Sequence, residues 1–600
     1  MKNNFRLFRI IFLAAILMLM AFSCADSGSS GGGGEGGGGG EGGGFGGGGG
    51  RGTSTNPFLV SNIATLQKIG SDTDGWTLSA FYRQTADINL NSISNWVPIG
   101  TEADPFRGTY DGNDKTISNL KINRNLDDQG LFGFTAASAV LKNIKLDNVN
   151  TTGKDNIGGV VGRNFGKVQN SSVSGTVKGN MEIGGIAGIN RLSAGIIEDC
   201  FFISGTIIST GDWDAGGIAG SNSGGLIQRC HVTGNVNAND GAGGVAGGQT
   251  RGAVMRECSF TIGTVTVSGT AGGLVAWNGS GATSDYTPGI IENCYASGNV
   301  SGNIVGGIAG RNQNNGSIIE NSYYAGGRLE GNTVGGIAGR NRMNGLVRNC
   351  YSLAGTLDGS FYVGGIVGNN YYNSEGSESG AGIVENCYST INITGGNTTG
   401  GVVGNNYAST VKNCYSTGNI SNVSSVGGVV GENITGGTVE NCYSTGDITG
   451  GSAVGGVVGR NSASTVQNCY STGGSVGGGV VGVNNDDGTV QNCVALNPSV
   501  VVRRIGYNDV SATLSNNYAR SDMKVNGNAI TSSDADSEDG KDIISTEYYA
   551  SSWWTTSGNW KTTGGASVWS TTIWNITNGK LPTLKDVGGT QNPTVLPIEP

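Results

Sequence analysis

The phrase GGhhGxN, with h apolar, returns eleven times along this chain, and that recurrence constrains the fold more than any other feature. It stands at 158–164, 184–190, 216–222, 272–278, 306–312, 335–341, 364–370, 400–406, 427–433, 455–461 and 478–484, with a variant, GGVAGGQ, at 243–249. A second anchor is a cysteine in contexts such as NCY. Cys414, Cys442 and Cys469 are 28 and 27 residues apart, and Cys200, Cys230 and Cys258 are 30 and 28 apart. Ile144, Ser171 and Ser322 fill the same slot elsewhere. About thirteen units of roughly 28 residues result, a period that belongs to solenoids and propellers.

One unit is too polar and glycine-rich to bury a core alone. Its apolar residues come in short runs such as GVV and TVENC. No run sustains a 3.6-residue period, and Val, Ile and Thr alternate with Gly, Asn and Ser turns. The pattern predicts an all-β chain: three short strands per unit, one unit per coil, and the coils stacked as a parallel β-solenoid (β-helix) with N- and C-terminal caps. At about 4.8 Å per coil, thirteen coils make a rod on the order of 60 Å long. A propeller needs four strands per blade and usually about 40 residues.

Each slot then acquires a physical role. The cysteine slot accepts Ile144, Ser171 and Cys442, which predicts a small inward position. The next residue is Tyr443, Lys145, His231 or Phe201, which predicts an outward one. Asn441 is expected at a corner, where asparagine tolerates left-handed backbone. The glycine pair is expected to allow tight or positive-φ backbone and close approach of coils. The Asn closing each phrase is expected to stack with its neighbours as an amide ladder.

The pattern resembles the GLUG repeat over roughly residues 106–497. FRGTYDGNDKTISNLKI (106–122) looks like the segment that introduces such repeats in bacterial surface proteins, and SVWSTTIWNITNGKLPTLK (567–585) resembles their closing segment. PFLVSNIATLQKI and TADINLNSISNWVPIG look like the usual N-terminal lead-in. The resemblance implies a β-solenoid on a surface or secreted protein, often adhesin-like. Some members are immunoglobulin-cleaving metalloproteases that carry the repeats as an accessory region. The motif specifies architecture far more than function.

The ends suggest an envelope location. Residues 1–23 have a basic start (Lys2, Arg6, Arg9) and a 13-residue apolar run from Ile10 to Phe22. That run is too short for a membrane span and suits a signal peptide. Small residues lead into Cys24, resembling a lipoprotein cleavage box with Ala21 where Leu is usual. Cys24 is therefore the expected lipid attachment site. A glycine tether fills 24–55; about 25 residues of it reach roughly 25–30 Å. The lead-in at 56–105 is expected to cap the solenoid, with a short helix within 61–69. The solenoid is assigned to 106–497. Residues 498–600, with Trp553, Trp554, Trp560, Trp569 and Trp574, are read as the C-terminal cap and tail.

Composition excludes several classes. Only 13% of residues are charged and the net charge is −9, so no basic patch exists to neutralise a nucleic acid. The single histidine, His231, rules out an HExxH zinc site, so the protease activity of some relatives does not carry over. Two carboxylates suffice to cleave a sugar chain. Here Glu198, Glu257, Glu292, Glu320, Glu385 and Glu440 recur two before the cysteine slot and are expected as a solvated stripe. DADSEDGKD (534–542) departs from a calcium loop at Asp539 and Ser545, and is expected to be an acidic surface loop. The ten repeat cysteines lack any CxxC pair. Stacked side chains point the same way and so miss the disulfide torsion, which predicts buried reduced thiols. No catalytic residue, metal or cofactor is expected.

Two features are candidates for binding. Tyr295, Tyr323, Tyr351, Tyr388, Tyr415, Tyr443 and Tyr470 occupy the outward slot of seven consecutive coils. Such a stripe suits glycan rings or a protein partner, and it also stabilises neighbouring strands. Two units are lengthened at 279–289 and 371–382, bringing Asp285, Tyr286, Tyr371 and Tyr372 onto one edge. The leading expectation is a lipid-anchored cell-surface protein, at the outer membrane or cell surface, with an adhesion role toward a host protein or glycan. A purely structural envelope component and a glycan-degrading β-helix are the alternatives.

Overall fold

The computed structural model describes residues 50–597 apart from 213, 280–286, 315, 373–378, 423, 475–476, 532 and 562–567. The leader, Cys24 and nearly all of the tether lie outside those residues. Equivalent segments of neighbouring coils pair as parallel strands. Thr438–Glu440, for example, pairs in register with Thr410–Lys412 on one side and Thr465–Gln467 on the other. Three main sheets of 17, 32 and 14 strands run along the rod. The first holds strands such as Thr438–Glu440, the second Tyr443–Ser444 and Ala453–Gly455, and the third Val458–Ser462.

The parallel β-solenoid expected from the repeat is the fold observed, with two corrections. Unit 438–462 has five short strands rather than three. Its middle side is interrupted at TGD and GGS, where glycines weaken the ladder, leaving Ile448–Gly450 as a separate strand. The rod also has about sixteen turns rather than thirteen. Phe58–Val60, Phe81–Gln84, Thr109–Asp111 and Thr513–Ser515 add strands to the first sheet. These four stand outside the units with a cysteine slot, so the repeat alone does not reveal them. Residues 56–105 therefore build coils as well as closing the end.

Each first-sheet strand turns its middle residue inward. Val411, Val439, Val466 and Val490 stack fully buried in adjacent coils. Burying each is worth roughly 1.5–3 kcal/mol. At the following corner Asn413, Asn441, Asn468 and Asn492 have φ of 53, 53, 54 and 54°. Asp199, Arg229 and Glu257 adopt the same conformation in upstream coils, where strain of roughly 1–3 kcal/mol each is held by the surrounding ladder. The cysteines come next. All ten repeat cysteines are free and buried. Each Sγ lies near a carbonyl two residues back, as Cys442 does to Glu440 at 3.1 Å. Burial pushes the thiols of Cys230, Cys294, Cys387, Cys442 and Cys493 up, keeping them neutral.

The glycine pair is explained by proximity rather than by positive φ. A Cβ on Gly455 would lie 2.0 Å from the Val458 carbonyl oxygen, and one on Gly456 2.1 Å from that of Gly479 in the next coil. The chain folds so sharply there that a methyl group has no room. Beyond the bend the ladder asparagines point inward, fully buried, and hydrogen-bond from coil to coil. The series runs without a break from Asn164 to Asn508, with Gln249 replacing Asn in one rung.

Different devices close the two ends. After Phe58–Val60 the chain forms the helix Ile63–Gln67, where Asn62 Oδ1 accepts the Thr65 N–H at 3.0 Å. Leu66 joins the core, and Phe58 stacks on Trp76 with centroids 4.7 Å apart. At the other end the acidic loop 534–542 covers the last coil. Glu538 takes the Ile505 N–H on its carbonyl at 2.8 Å and the Asn508 N–H on its carboxylate at 2.9 Å. Asp536 accepts from the Asn516 N–H at 2.9 Å. Arg504, fully buried, donates to Asp542 at 2.7 Å. The loop thus quenches an open strand edge. The tryptophan segment, expected as the cap, lies elsewhere.

Candidate functional site

The outward tyrosines stack coil upon coil, with ring centroids 4.9 to 5.2 Å apart and interplanar angles of 3 to 9°. Each contact adds about 0.5–1.5 kcal/mol. The row is not one open surface. The C-terminal segment, with helices Ser545–Tyr548 and Ser551–Thr555 and a hairpin of Trp574–Asn575 with Thr583–Leu584, folds back along its side. The Tyr415 hydroxyl donates to the Gly588 carbonyl at 2.8 Å, Tyr443 to Gln591 Oε1 at 3.0 Å, and Tyr470 to the Pro582 carbonyl at 2.6 Å. Trp554, Trp569 and Trp574 close over Tyr470 at 6.1 to 6.2 Å.

Tyr388, Tyr415, Tyr443 and Tyr470 are therefore buried, which corrects their reading as binding residues. Burial drives the Tyr443 and Tyr470 hydroxyls far above their usual range. Tyr295, Tyr323 and Tyr351 keep an outer, half-buried position. The sequence held a sign of this cover. Five tryptophans in a segment without the glycine phrase need an apolar partner, and the tyrosine row is the outward apolar stripe that the repeat supplies.

Asp285 and Tyr286 lie outside the described residues. Both lengthened units do pass between the third and first sheets at the same corner, three coils apart. Tyr371 ends the strand Val367–Tyr371; its hydroxyl accepts from Arg342 at 2.9 Å, and its ring faces that guanidinium at 5.8 Å. Tyr372 is exposed. His231 sits in the tyrosine slot, its Nδ1 2.7 Å from Ser259 Oγ and its ring 5.5 Å from Phe201. Burial lowers its pKa.

A second surface was not anticipated. At the glycine bend the residue two before GG and the residue before the ladder Asn stand seven apart, one on either side of the bend. Their meeting across the bend is explicit where Ser425 Oγ donates to Glu432 Oε1 at 2.8 Å. The equivalents Asn156 and Arg163, Glu182 and Ile189, and Asp214 and Ser221 line one cleft of about 390 Å³. The cleft thus lies at the bend of three coils, and its two rows are the x positions that the repeat leaves free. The signal was the paired variability at i and i+7.

The cleft holds unusual acids. Asp214 is 8% exposed, and its Oδ1 has no hydrogen-bond partner. Burial, then the charge of Glu182, pushes its pKa up to about 8. Glu182 is itself raised by burial and has a left-handed backbone, φ 57°. At neutral pH the cleft carries a protonated carboxyl. No group of three or more His, Cys, Asp or Glu placed to hold a metal occurs among the described residues.

Comparison with known proteins agrees with the repeat architecture. The GLUG motif matches residues 155–178, 268–301, 359–394, 395–421, 422–449 and 450–477. Halomucin of Haloquadratum walsbyi is 36% identical over 159 residues, 24% of this chain. A protein of Evansella cellulosilytica named as a Gly-rich membrane protein is 30% identical over 132 residues, 20% of this chain. The chain spans only 2% and 15% of the length of these two relatives. A solved structure described as an immunoglobulin A1 protease from Bacteroides ovatus has a TM-score of 0.32 at 22% identity, covering 41% of this chain and 77% of its own. The chain thus carries the GLUG motif in six places, and the coils that hold it belong to a parallel β-solenoid.

Proposed function

We propose that this chain is a surface rod, lipid-anchored to the cell envelope through Cys24, that binds a host protein or glycan and does not catalyse. The observation carrying this reading is the division of the tyrosine row. Its C-terminal part is held under tryptophans, whereas Tyr295, Tyr323 and Tyr351 stay stacked and only half-buried, which is an arrangement suited to sugar rings or a protein surface. The leader and tether agree with an envelope location, and one relative is named as a membrane protein. Screening the chain against arrayed glycans and matrix proteins tests the binding role. Incorporation of labelled fatty acid, lost in Cys24→Ala, tests the anchor; equal labelling of that variant removes it.

Glycan cleavage has one observation in its favour, the protonated Asp214 beside Glu182 in an open cleft. Release of reducing ends from a polysaccharide by the wild type but not by Asp214→Asn would put that reading first.

A further inference from the structure

Farther along the same strand row the chemistry changes sign. Arg311 and Arg340 occupy the same position in adjacent coils, so their side chains stack in register. Neither forms an ion pair among the described residues, and the Nε of each is buried without a hydrogen-bond partner. Arg342, two residues beyond Arg340, is held by neutral groups: Gln313 Oε1 at 2.7 Å and the Tyr371 hydroxyl. Asp240 lies close enough to act electrostatically on Arg311 but makes no ion pair with it. Burial and the neighbouring guanidiniums lower the pKa of Arg311. Two stacked cations without a counter-ion repel each other, and an anion bound at them lowers that cost.

We infer that Arg311 and Arg340 bind carboxylates of a uronate-bearing polysaccharide lying across adjacent coils of the third sheet. On both arginines Nε is buried, whereas the Nη groups have no hydrogen-bond partner among the described residues. The edge left for a ligand is therefore the end-on fork of the two Nη groups, which matches the two oxygens of a planar carboxylate. Successive coils place one fork about every 4.8 Å, a spacing suited to a polymer rather than to a single ion. The same row continues on either side: Trp277, half-buried, precedes Arg311 in register and adds an aromatic ring, and Asn405 follows two coils after Arg340, its Nδ2 donating to Asn369 at 3.0 Å. This site lies on the third sheet and does not depend on the tyrosine row.

Affinity electrophoresis of the full chain through gels carrying polygalacturonate, dextran sulfate or neutral dextran tests the assignment. Retardation by polygalacturonate is expected, with the dissociation constant rising at least tenfold in R311Q/R340Q and unchanged in Arg107→Gln, an exposed arginine paired with Asp104. R311K/R340K keeps the charge without the fork and is expected to lose most of the binding; it carries the test if the glutamine variant fails to fold. Three results would overturn the inference: no retardation of the wild type by polygalacturonate, equal retardation of folded R311Q/R340Q, and tighter binding of dextran sulfate through the same arginines.

Discussion

The side-chain amide of Asn433 donates to Asn461 Oδ1 at 2.8 Å, and the same nitrogen approaches the Gly437 carbonyl at 3.2 Å. Each ladder amide thus ties two coils together and fastens the turn of its own coil. Asn433→Ala leaves the Asn406 donor and the Gly437 carbonyl short of a partner in a dry interior. A loss of about 1–3 kcal/mol is expected. Asn433→Asp is expected to cost more, since it also buries a charge. Denaturant midpoints of the two variants check the order.

The covered tyrosines should weigh more than the open ones. Tyr443→Ser removes two stacking partners, the bond to Gln591 and the seat of Trp574, whose ring centroid is 6.4 Å away. A loss of roughly 3–5 kcal/mol is expected, on the scale of large aromatic truncations. Tyr323→Ser removes two stacking contacts outside the tryptophan cover and should cost about 1–2 kcal/mol. Equal losses by denaturant titration would contradict the cover.

The buried cysteines should be reduced yet unreachable. Alkylation of the native chain is expected to modify few of them. After denaturation without reductant, all ten repeat cysteines should react. A requirement for reductant would show disulfides.

Asp214 gives the stability a pH dependence with a definite sign. Its folded pKa, about 8, lies above the unfolded value near 3.8. Between those values the folded chain holds a proton that the unfolded chain has released. Stability is therefore full below about pH 4, falls as pH rises, and levels off above about pH 8. The slope is at most about 1.4 kcal/mol per pH unit. Asp214→Asn should flatten that part of the Tm–pH curve, which thermal scans from pH 4 to 9 will show.

What the sequence disclosed follows from its periodicity. The inward valines, the left-handed Asn441 corner and the ladder asparagines each recur at one place in the coil, so repetition alone assigns their environment. The first two coils were hidden because Phe58–Val60 and Phe81–Gln84 keep the strand but lack the glycine phrase. The burial of Tyr388 to Tyr470 was hidden because the cover comes from residues 545–591, more than a hundred positions downstream of Tyr443, and no period links them. The cleft and the arginine row were missed for the opposite reason: their residues vary from coil to coil. Glu182, Asp214, Arg311 and Arg340 looked like noise in the repeat, although variable positions on a constant scaffold are where a binding surface is written.

The most direct test of the binding account is a comparison of the wild type with Y295S/Y323S/Y351S on whichever arrayed ligand the wild type binds. Tyr407→Ser, an exposed tyrosine on the third sheet, serves as the control. The account predicts that the triple variant, still folded by circular dichroism, loses binding at least tenfold while Tyr407→Ser keeps it. Undiminished binding by the folded triple variant would contradict it.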